Sequence, residues 1–469
     1  MLFYQEVQEV CKNIDNIKKT KKIKIINKFK KKWIEIMALS NLFNKKYQTF
    51  SLNNIEITEY GFKSDIYIVP PLTFDKLDNY RNMIEENMNC LLTFEHKKSS
   101  VWINCKFIYN QNKDRIFKPI NQPSPYKLYI CNDFSGEPVF ADMRKYSHIL
   151  ISGTTRSGKS KLTDCLLTNL VYNCDPKDVN LYLCQVAKYD LCLYEDLEHT
   201  KAFADTLDKT LTIMKYIVET EMPNRANIIK PYRQKAILDN MYEYNELKTT
   251  KEKYPMILVV FDEMASLFDK KGNSNAVKNV KEQIESYIQS ITQYGASLSV
   301  YILSSIQRPT ANLLPPLIKA MSNTLISLKQ ANSKSSEVAT DDSKLAVGLP
   351  QRQLVYNLDE WNYGIVPLVN TKDIYQYIKP NIKPNHKTLF DEIKSEDSQY
   401  IKKSKVKIQN EYDYSKLDYN IQQNINKIKG YVPYQDYKGL TVIDKTNLSS
   451  KTNKPKGRVK LWLLIEIEK

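Results

Sequence analysis

The chain contains no long apolar run. No stretch of its 469 residues approaches the roughly 18 consecutive apolar residues that a membrane span requires. The N-terminus also carries no apolar signal segment. We therefore expect a soluble, cytoplasmic protein, with any membrane attachment supplied by a partner.

Patterns that bind metals through cysteine or histidine are missing as well. The eight cysteines form no C-x-x-C pair, and the four histidines do not stand at ligand spacing from them. Several cysteines lie inside apolar runs, as Cys184 does in Leu181–Cys184. We expect reduced thiols in the protein core and no zinc site. Arginine is scarce, with nine in the chain, so a functional arginine has few candidates.

Lysine, in contrast, is abundant. The chain has 69 basic and 53 acidic residues, a formal net charge of +16. An excess of this size favours a polyanionic partner, nucleic acid before an anionic membrane surface. Lysine and asparagine are frequent throughout the chain, so an AT-rich genome is an alternative explanation of the excess. The length predicts two or three domains.

One segment matches a phosphate-binding motif without a gap. Gly153-Thr154-Thr155-Arg156-Ser157-Gly158-Lys159-Ser160 fits G-x-x-x-x-G-K-[ST]; an apolar run precedes it and a helix-like run, Lys161–Tyr172, follows it. The glycines let backbone N–H groups face phosphate oxygens. We predict that residues Gly153 to Lys161 bind ATP, that Lys159 reaches the β- and γ-phosphates and that the Ser160 hydroxyl ligates Mg²⁺. The alternative is a glycine-containing turn without a ligand.

A second apolar run ends in an acidic pair. Met256–Phe261 is the kind of continuous run that predicts a strand buried on both faces of a parallel sheet, and Asp262 and Glu263 follow it directly. A carboxylate at such a strand end holds the Mg²⁺ shell in P-loop NTPases, and the adjacent glutamate can act as general base toward water. The alternative is an acidic cap for a helix that starts at Met264.

The pattern along the chain predicts four parts. Residues 1–46 form a basic amphipathic helical segment, whose face either packs on the next domain or touches DNA or a membrane. Residues 47–125 form a small α/β module, with strands near 65–69 and 100–104 and a helix over 74–92. Residues 126–375 alternate apolar runs, the last of them at 365–369, with helices, the longest over 201–218, which indicates a parallel sheet flanked by helices. Residues 376–469 are read as a linker and a loosely folded tail.

A polar segment follows the fourth apolar run of the third part. Gln307 and Arg308 come directly after Leu298–Ser304 and Ser305-Ile306. We predict that Gln307 senses the γ-phosphate, because an amide can bond both a phosphate oxygen and water. Arg308 is a candidate for stabilising charge in the transition state, in cis or across a subunit interface. The alternative for both is a turn before Pro309.

These segments together resemble the FtsK/SpoIIIE family of DNA-translocating ATPases, in particular the members carried by conjugative plasmids and integrative elements. The similar segments follow the family's order over roughly residues 126–370: SGEPVFAD at 135–142, the block at 148–160, DEMA at 262–265 and QRP at 307–309. The resemblance implies a RecA-like P-loop NTPase core. It also implies a ring, usually a hexamer, that threads double-stranded DNA through its channel with ATP bound between neighbours.

The chain also departs from the family pattern. Where the family often has Asp-Pro-Lys after the second strand, this chain has Gln185-Val186-Ala187-Lys188, which keeps only the lysine. The arginine common before the fifth strand is missing at Asn323-Thr324-Leu325. Candidates for an arginine that acts on a neighbouring subunit are therefore Arg308, Arg225 and Arg233.

Two other functions stay open from the sequence. One keeps the fold but places a different polymer in the channel, as a single-strand DNA coupling ATPase or a packaging ATPase. The other is an ATP-gated oligomeric adaptor that binds nucleotide without significant turnover. The leading prediction is an ATP-driven pump for double-stranded DNA that serves conjugation or segregation of a mobile element.

Overall fold

The computed structural model describes residues 2–110, 115–186, 188–247, 252–310 and 313–393. The predicted linker and tail lie outside the described residues from 394 onward. The described residues of that part continue the preceding fold, with a helix and a 3₁₀ turn up to Asn381.

The N-terminal part is a small antiparallel sheet covered by helices. Its four described strands pair in the order β1-β2-β4-β3. The elements in chain order are α1 (Leu2–Lys12), α2 (Lys19–Leu39), β1 (Ser51–Ile57), β2 (Gly61–Tyr67), α3 (Phe74–Asp78), α4 (Arg81–Met88), β3 (Leu91–His96) and β4 (Trp102–Ile108). The single helix expected over 74–92 was wrong: the structure has two short helices there, and β3 begins at Leu91.

The apolar stripe of α2 belongs to the core of this N-terminal part. Every third or fourth residue of the helix is buried against the sheet: Ile25, Phe29, Trp33, Ile36 and Met37. The Trp33 indole Nε1 donates to the Phe50 carbonyl at 2.7 Å. The lysines of α2 are left on the outer face of the helix. The structure therefore joins residues 1–46 and the following module around one core.

The larger part is a sheet of ten described strands, in the order β6-β5-β14-β13-β12-β7-β11-β10-β8-β9. Its strands are β5 (Lys127–Asp133), β6 (Pro138–Asp142), β7 (Ile149–Ser152), β8 (Val179–Cys184), β9 (Thr200–Ala204), β10 (Met256–Phe261), β11 (Val300–Ile306), β12 (Thr324–Leu328), β13 (Gln353–Asn357) and β14 (Trp361–Ile365). Its helices are α5 (Lys159–Asn173), α6 (Leu207–Tyr216), α7 (Met222–Gln234), α8 (Met241–Glu246), α9 (Ala265–Phe268), α10 (Asn275–Tyr294), α11 (Pro316–Met321), α12 (Ser333–Thr340) and α13 (Thr371–Ile378).

Six neighbouring strands of this sheet are parallel. They are β12, β7, β11, β10, β8 and β9, and all residues of β7, β10 and β11 are buried. Strand β11 separates β7 from β10. Because parallel strands end at the same edge of a sheet, the residues that follow β7, β10 and β11 meet there. The predicted parallel sheet with helices, together with a small N-terminal α/β module, is confirmed.

Four strands extend the sheet in the antiparallel sense, which the sequence did not predict. Strand β13 pairs antiparallel with β12, and β14, β5 and β6 follow it. The apolar run 365–369, expected as a parallel strand, meets β14 only at Ile365. The helix expected over 201–218 was wrong in its first part, where β9 alternates buried and less buried residues at the sheet edge.

The two parts share a contact beside β5. The Lys106 ammonium of β4 lies 2.7 Å from a carboxylate oxygen of Asp133 at the end of β5. Ile108, Phe134 and Ile365 form a small apolar cluster beside this ion pair. The N-terminal part therefore packs on the antiparallel end of the large sheet.

Candidate nucleotide-binding site

The predicted phosphate-binding loop connects β7 to α5. Gly158 has φ +115° and precedes the first turn of α5, where an added Cβ would lie 3.3 Å from Leu328 Cδ2 and 3.4 Å from Arg352 Cα. Arg156 also has a positive φ, +65°. The first turn of a helix leaves its N–H groups without partners inside the helix. The tight backbone path therefore presents the N-terminus of a 15-residue helix at this edge of the sheet.

Backbone hydrogen bonds hold the loop between its neighbours. Gly153 N donates to the Ile306 carbonyl at 3.2 Å, and Thr154 N donates to the Lys329 carbonyl at 2.9 Å. The Ser157 carbonyl accepts from Arg352 N at 2.9 Å. The loop is thus fixed from β11, from the end of β12 and from the segment before β13.

Lys159 projects into the buried end of β11. Its ammonium donates to Ser305 Oγ at 2.9 Å and to the Asp262 carbonyl at 3.4 Å, and it lies 3.9 Å from Glu263 Oε2. The side chain is 5% exposed. Burial lowers the pKa of Lys159, and the nearby Glu263 carboxylate offsets part of that effect. Lys159 is therefore held in place by Ser305 and by the acidic pair.

The acidic pair stands where the sequence predicted it. Asp262 follows β10 with a side chain that is 2% exposed, and Glu263 is 14% exposed. Gln307 N donates to Glu263 Oε1 at 3.2 Å. The Lys188 ammonium lies 3.1 Å from Asp262 Oδ2 and 3.3 Å from Glu263 Oε2. The end of β10 is thus joined to the end of β11 and to the loop after β8.

The remaining predicted residues lie around this centre. Thr155 Oγ1 donates to Gln307 Oε1 at 3.4 Å, which joins the loop to the end of β11. Ser160 Oγ donates to Asp190 Oδ2 at 3.2 Å. Lys161 pairs with Asp164 at 3.0 Å on the first turns of α5.

The residues present fit a nucleotide with Mg²⁺. A helix N-terminus and a lysine suit phosphate, while a serine hydroxyl and an aspartate carboxylate are the hard oxygen donors that Mg²⁺ prefers. In addition, the buried Ser157 Oγ has no hydrogen-bond partner among the described residues, although it lies inside the loop. This unpartnered hydroxyl is consistent with a ligand in the loop.

Comparison with known proteins agrees with this geometry. The FtsK/SpoIIIE family model matches residues 118–311, which include the loop, the acidic pair and the end of β11. The chain contains an FtsK/SpoIIIE domain. This confirms the resemblance seen in the sequence and identifies the domain as a P-loop ATPase.

Relatives of the FtsK/SpoIIIE domain include DNA translocases. The chain is 29% identical over 233 residues to DNA translocase FtsK of Campylobacter jejuni subsp. jejuni serotype O:2, covering 49% of this chain and 23% of that protein. It is 29% identical over 222 residues to DNA translocase SftA of Bacillus subtilis, covering 46% of this chain and 22% of that protein. The similarity thus spans about a quarter of the length of these relatives.

Among solved structures, the monomer form of the pCW3 conjugation coupling protein TcpA with ATPγS is similar to the chain. The match has a TM-score of 0.50 and 18% identity, and it covers 75% of this chain and 99% of that one. At this identity the match supports the fold. Within the described residues, no helix combines the length and the apolarity needed to cross a membrane.

The arginines differ in their availability to a neighbouring subunit. Arg225 on α7 is fully buried; its guanidinium donates to the Leu298 and Pro255 carbonyls at 3.0 and 2.9 Å and pairs with Glu221. All these partners belong to the same chain, so the interpretation of Arg225 as an arginine that acts on a neighbouring subunit is wrong. Arg308 is exposed after β11. Arg233, near the end of α7, is also exposed and pairs with Asp239.

Three residues around the site had no prediction from the sequence. They are Ser305, which holds Lys159, Asp190, which holds Ser160, and Arg352, which supports the loop. Ser305 carried a usable signal, because it is one of two serines in a strand that is fully buried and mostly apolar. Asp190 and Arg352 lie in irregular segments, where periodicity gives no indication.

Proposed function

We propose that this chain is an ATP-driven translocase that moves double-stranded DNA through an oligomeric ring, in the transfer or segregation of a mobile element. The observation that carries the proposal is the meeting of the loop, the acidic pair and Gln307 at one edge of the sheet. Support comes also from the relatives named DNA translocases and from the fold shared with a conjugation coupling protein.

In this proposal each group has a distinct role. The N-terminus of α5 and the Lys159 ammonium hold the triphosphate, with residues Gly153 to Lys161 as its cradle. Ser160 and Asp262 would hold Mg²⁺, which would neutralise charge on the phosphates when bound. Glu263 would accept a proton from the attacking water. Gln307 N donates to Glu263 Oε1, and the Gln307 side chain would sense the γ-phosphate.

The polymer would be held through its backbone. A net charge of +16 favours contacts of lysine with phosphates, which carry no base information. Binding should therefore weaken with salt and tolerate many sequences. Arg308 is exposed after β11, where a neighbouring subunit of a hexamer could meet it. Partner proteins that choose the DNA or attach the ring to a membrane are part of the same proposal.

A DNA-stimulated ATPase assay on the purified chain tests the proposal. Duplex DNA should raise ATP turnover several-fold, and Lys159→Ala should abolish turnover by removing the phosphate-binding ammonium. Glu263→Gln keeps the size of the side chain and removes its basicity, so it should bind ATP and fail to hydrolyse it. Absence of stimulation by any nucleic acid would contradict the proposal.

The same assay separates the other two functions. Stronger stimulation by single-stranded than by duplex DNA would indicate single-strand coupling. ATP-dependent oligomers with negligible turnover, even with DNA present, would indicate an adaptor. Gel filtration with ATP and the Glu263→Gln variant would reveal a ring, because that variant should hold nucleotide without cleaving it.

A further inference from the structure

The loop after β8 lies directly beside the acidic pair. We call residues 185–191, without residue 187, the β8 loop. Cys184 of β8 pairs with Phe261 of β10, so the β8 loop starts next to Asp262. The base of the loop is closed, because the buried Gln185 side chain accepts a hydrogen bond from the Leu191 backbone. The charged residues Lys188 and Asp190 lie between Gln185 and Leu191.

Two side chains of the β8 loop contact the predicted metal ligands. Lys188 contacts Asp262 at 3.1 Å and Glu263 at 3.3 Å. Asp190 accepts the Ser160 hydroxyl bond at 3.2 Å. One short loop therefore engages both predicted Mg²⁺ ligands and the predicted general base.

Charge explains why Lys188 contacts this pair. Asp262 is almost fully buried, and a buried carboxylate is costly unless a cation pairs with it. Lysine is an ammonium at neutral pH, and the Lys188 contacts at 3.1 and 3.3 Å place that positive charge against both carboxylates.

The contact of Lys188 competes with a metal ion for Asp262. An ammonium and a divalent cation at the same carboxylate repel each other strongly where water is excluded. Asp190 does not compete in this way, because the Ser160 hydroxyl that donates to Asp190 keeps its oxygen lone pairs free for a metal.

We propose that Lys188 is a built-in counter-ion of Asp262 and Glu263, which competes with Mg²⁺ for the Asp262 carboxylate and releases that carboxylate when Mg²⁺ and nucleotide bind. The inference rests on the nucleotide site of the proposed function.

Thermal unfolding of the full chain without nucleotide gives the first test. Lys188→Met keeps the length of the side chain and removes its charge, so the two carboxylates lose their counter-ion and Tm should fall. Millimolar Mg²⁺ at constant ionic strength should then restore part of the lost Tm. Lys188→Arg keeps the charge and should behave like the unchanged chain.

Lys106→Met is the matched control for this measurement. Lys106 also pairs with a carboxylate, and its side chain is 21% exposed compared with 25% for Lys188. It should lower Tm in a way that Mg²⁺ does not reverse, because Asp133 is not part of the predicted metal site. An equal lack of Mg²⁺ rescue for Lys188→Met would reduce Lys188 to an ordinary structural ion pair and overturn the inference.

Nucleotide affinity gives the second test. The quantity is the ratio of the Kd of a fluorescent ATP analogue in EDTA to its Kd in Mg²⁺. If Lys188 blocks the pair in nine of ten molecules or more, the ratio should be at least about tenfold larger for Lys188→Met than for the unchanged chain. A lowered kcat with an unchanged ratio would make Lys188 a catalytic cation and refute the counter-ion role.

The two proposals fail in different ways. Neither Tm nor the Kd ratio requires DNA, so a missing Mg²⁺ effect leaves the translocase proposal intact. Conversely, an ATPase without DNA stimulation leaves the counter-ion of the nucleotide site testable by the same two measurements.

Discussion

His148 makes the stability of the ATPase fold sensitive to acid. The residue precedes β7 with φ +61°, and its side chain is buried. Its ring Nδ1 accepts a hydrogen bond from Ile302 N of β11 at 3.1 Å. Protonation of Nδ1 would remove this acceptor and place a charge in the core. Burial therefore lowers the pKa of His148 from 6.5 to about 4.

The sign and size of the effect follow from this difference. Above pH 6.5 the ring is neutral in the folded and the unfolded chain, so nothing is lost. As the pH falls from 6.5 toward 4, the unfolded chain takes up a proton that the folded chain refuses, and the free energy of unfolding decreases. At about 1.4 kcal/mol per pH unit, the loss due to His148 reaches about 2.5 kcal/mol near pH 4.5.

Urea denaturation of the chain and of His148→Asn at neutral pH and near pH 4.5 measures this loss. Asparagine tolerates the positive φ, and its side-chain oxygen can accept the Ile302 N–H bond without titrating. We expect the variant to be less stable at neutral pH, and its deficit to shrink by about 2.5 kcal/mol in acid. Other acid-sensitive groups act in both proteins and cancel. A parallel loss of stability in both would refute the low pKa of His148.

Three further substitutions test single features of the fold. Gly158→Ala should weaken nucleotide binding more than tenfold, because its φ is strained for alanine by about 1–3 kcal/mol and the Cβ meets Leu328; a titration with a fluorescent ATP analogue checks it. Arg225→Met should cost about 3–5 kcal/mol in unfolding free energy, since it leaves buried partners unpaired; an unchanged Tm would contradict this. Trp33→Phe should cost about 1–3 kcal/mol, because the buried Phe50 carbonyl loses its donor; urea denaturation checks it.

The central part of the fold could be predicted because burial on both faces leaves a clear sequence signal. Strands β7, β10 and β11 are fully buried and mostly apolar. Asp262 and Gln307 directly follow β10 and β11, and Lys159 follows β7 after the phosphate-binding loop. Parallel strands share an edge, so the run positions alone predict that Lys159, Asp262 and Gln307 lie close together. In the structure, Lys159 donates to Ser305 Oγ, two residues before Gln307, and Gln307 N donates to Glu263, the neighbour of Asp262.

The antiparallel extension and strand β9 could not be predicted in the same way. Strands β6 and β14 have mostly half-buried residues, and β9 alternates at the edge of the sheet. Such short segments carry few apolar residues, and their pairing depends on which neighbour is available. Their place in the sheet is a property of the whole fold rather than of the local sequence.

The buried hydroxyls of β11 show how a functional edge can be recognised within an apolar strand. Ser304 and Ser305 are buried in a strand whose other residues are apolar or aromatic, and a buried hydroxyl is unfavourable unless it is bonded. Ser304 Oγ donates to the Ile149 carbonyl at 3.2 Å, which is a structural use. Ser305 Oγ instead bridges Lys159 and the Asp262 carbonyl. A polar residue near the end of a fully buried parallel strand therefore indicates the edge of the sheet where chemistry is expected, even when no motif includes that residue.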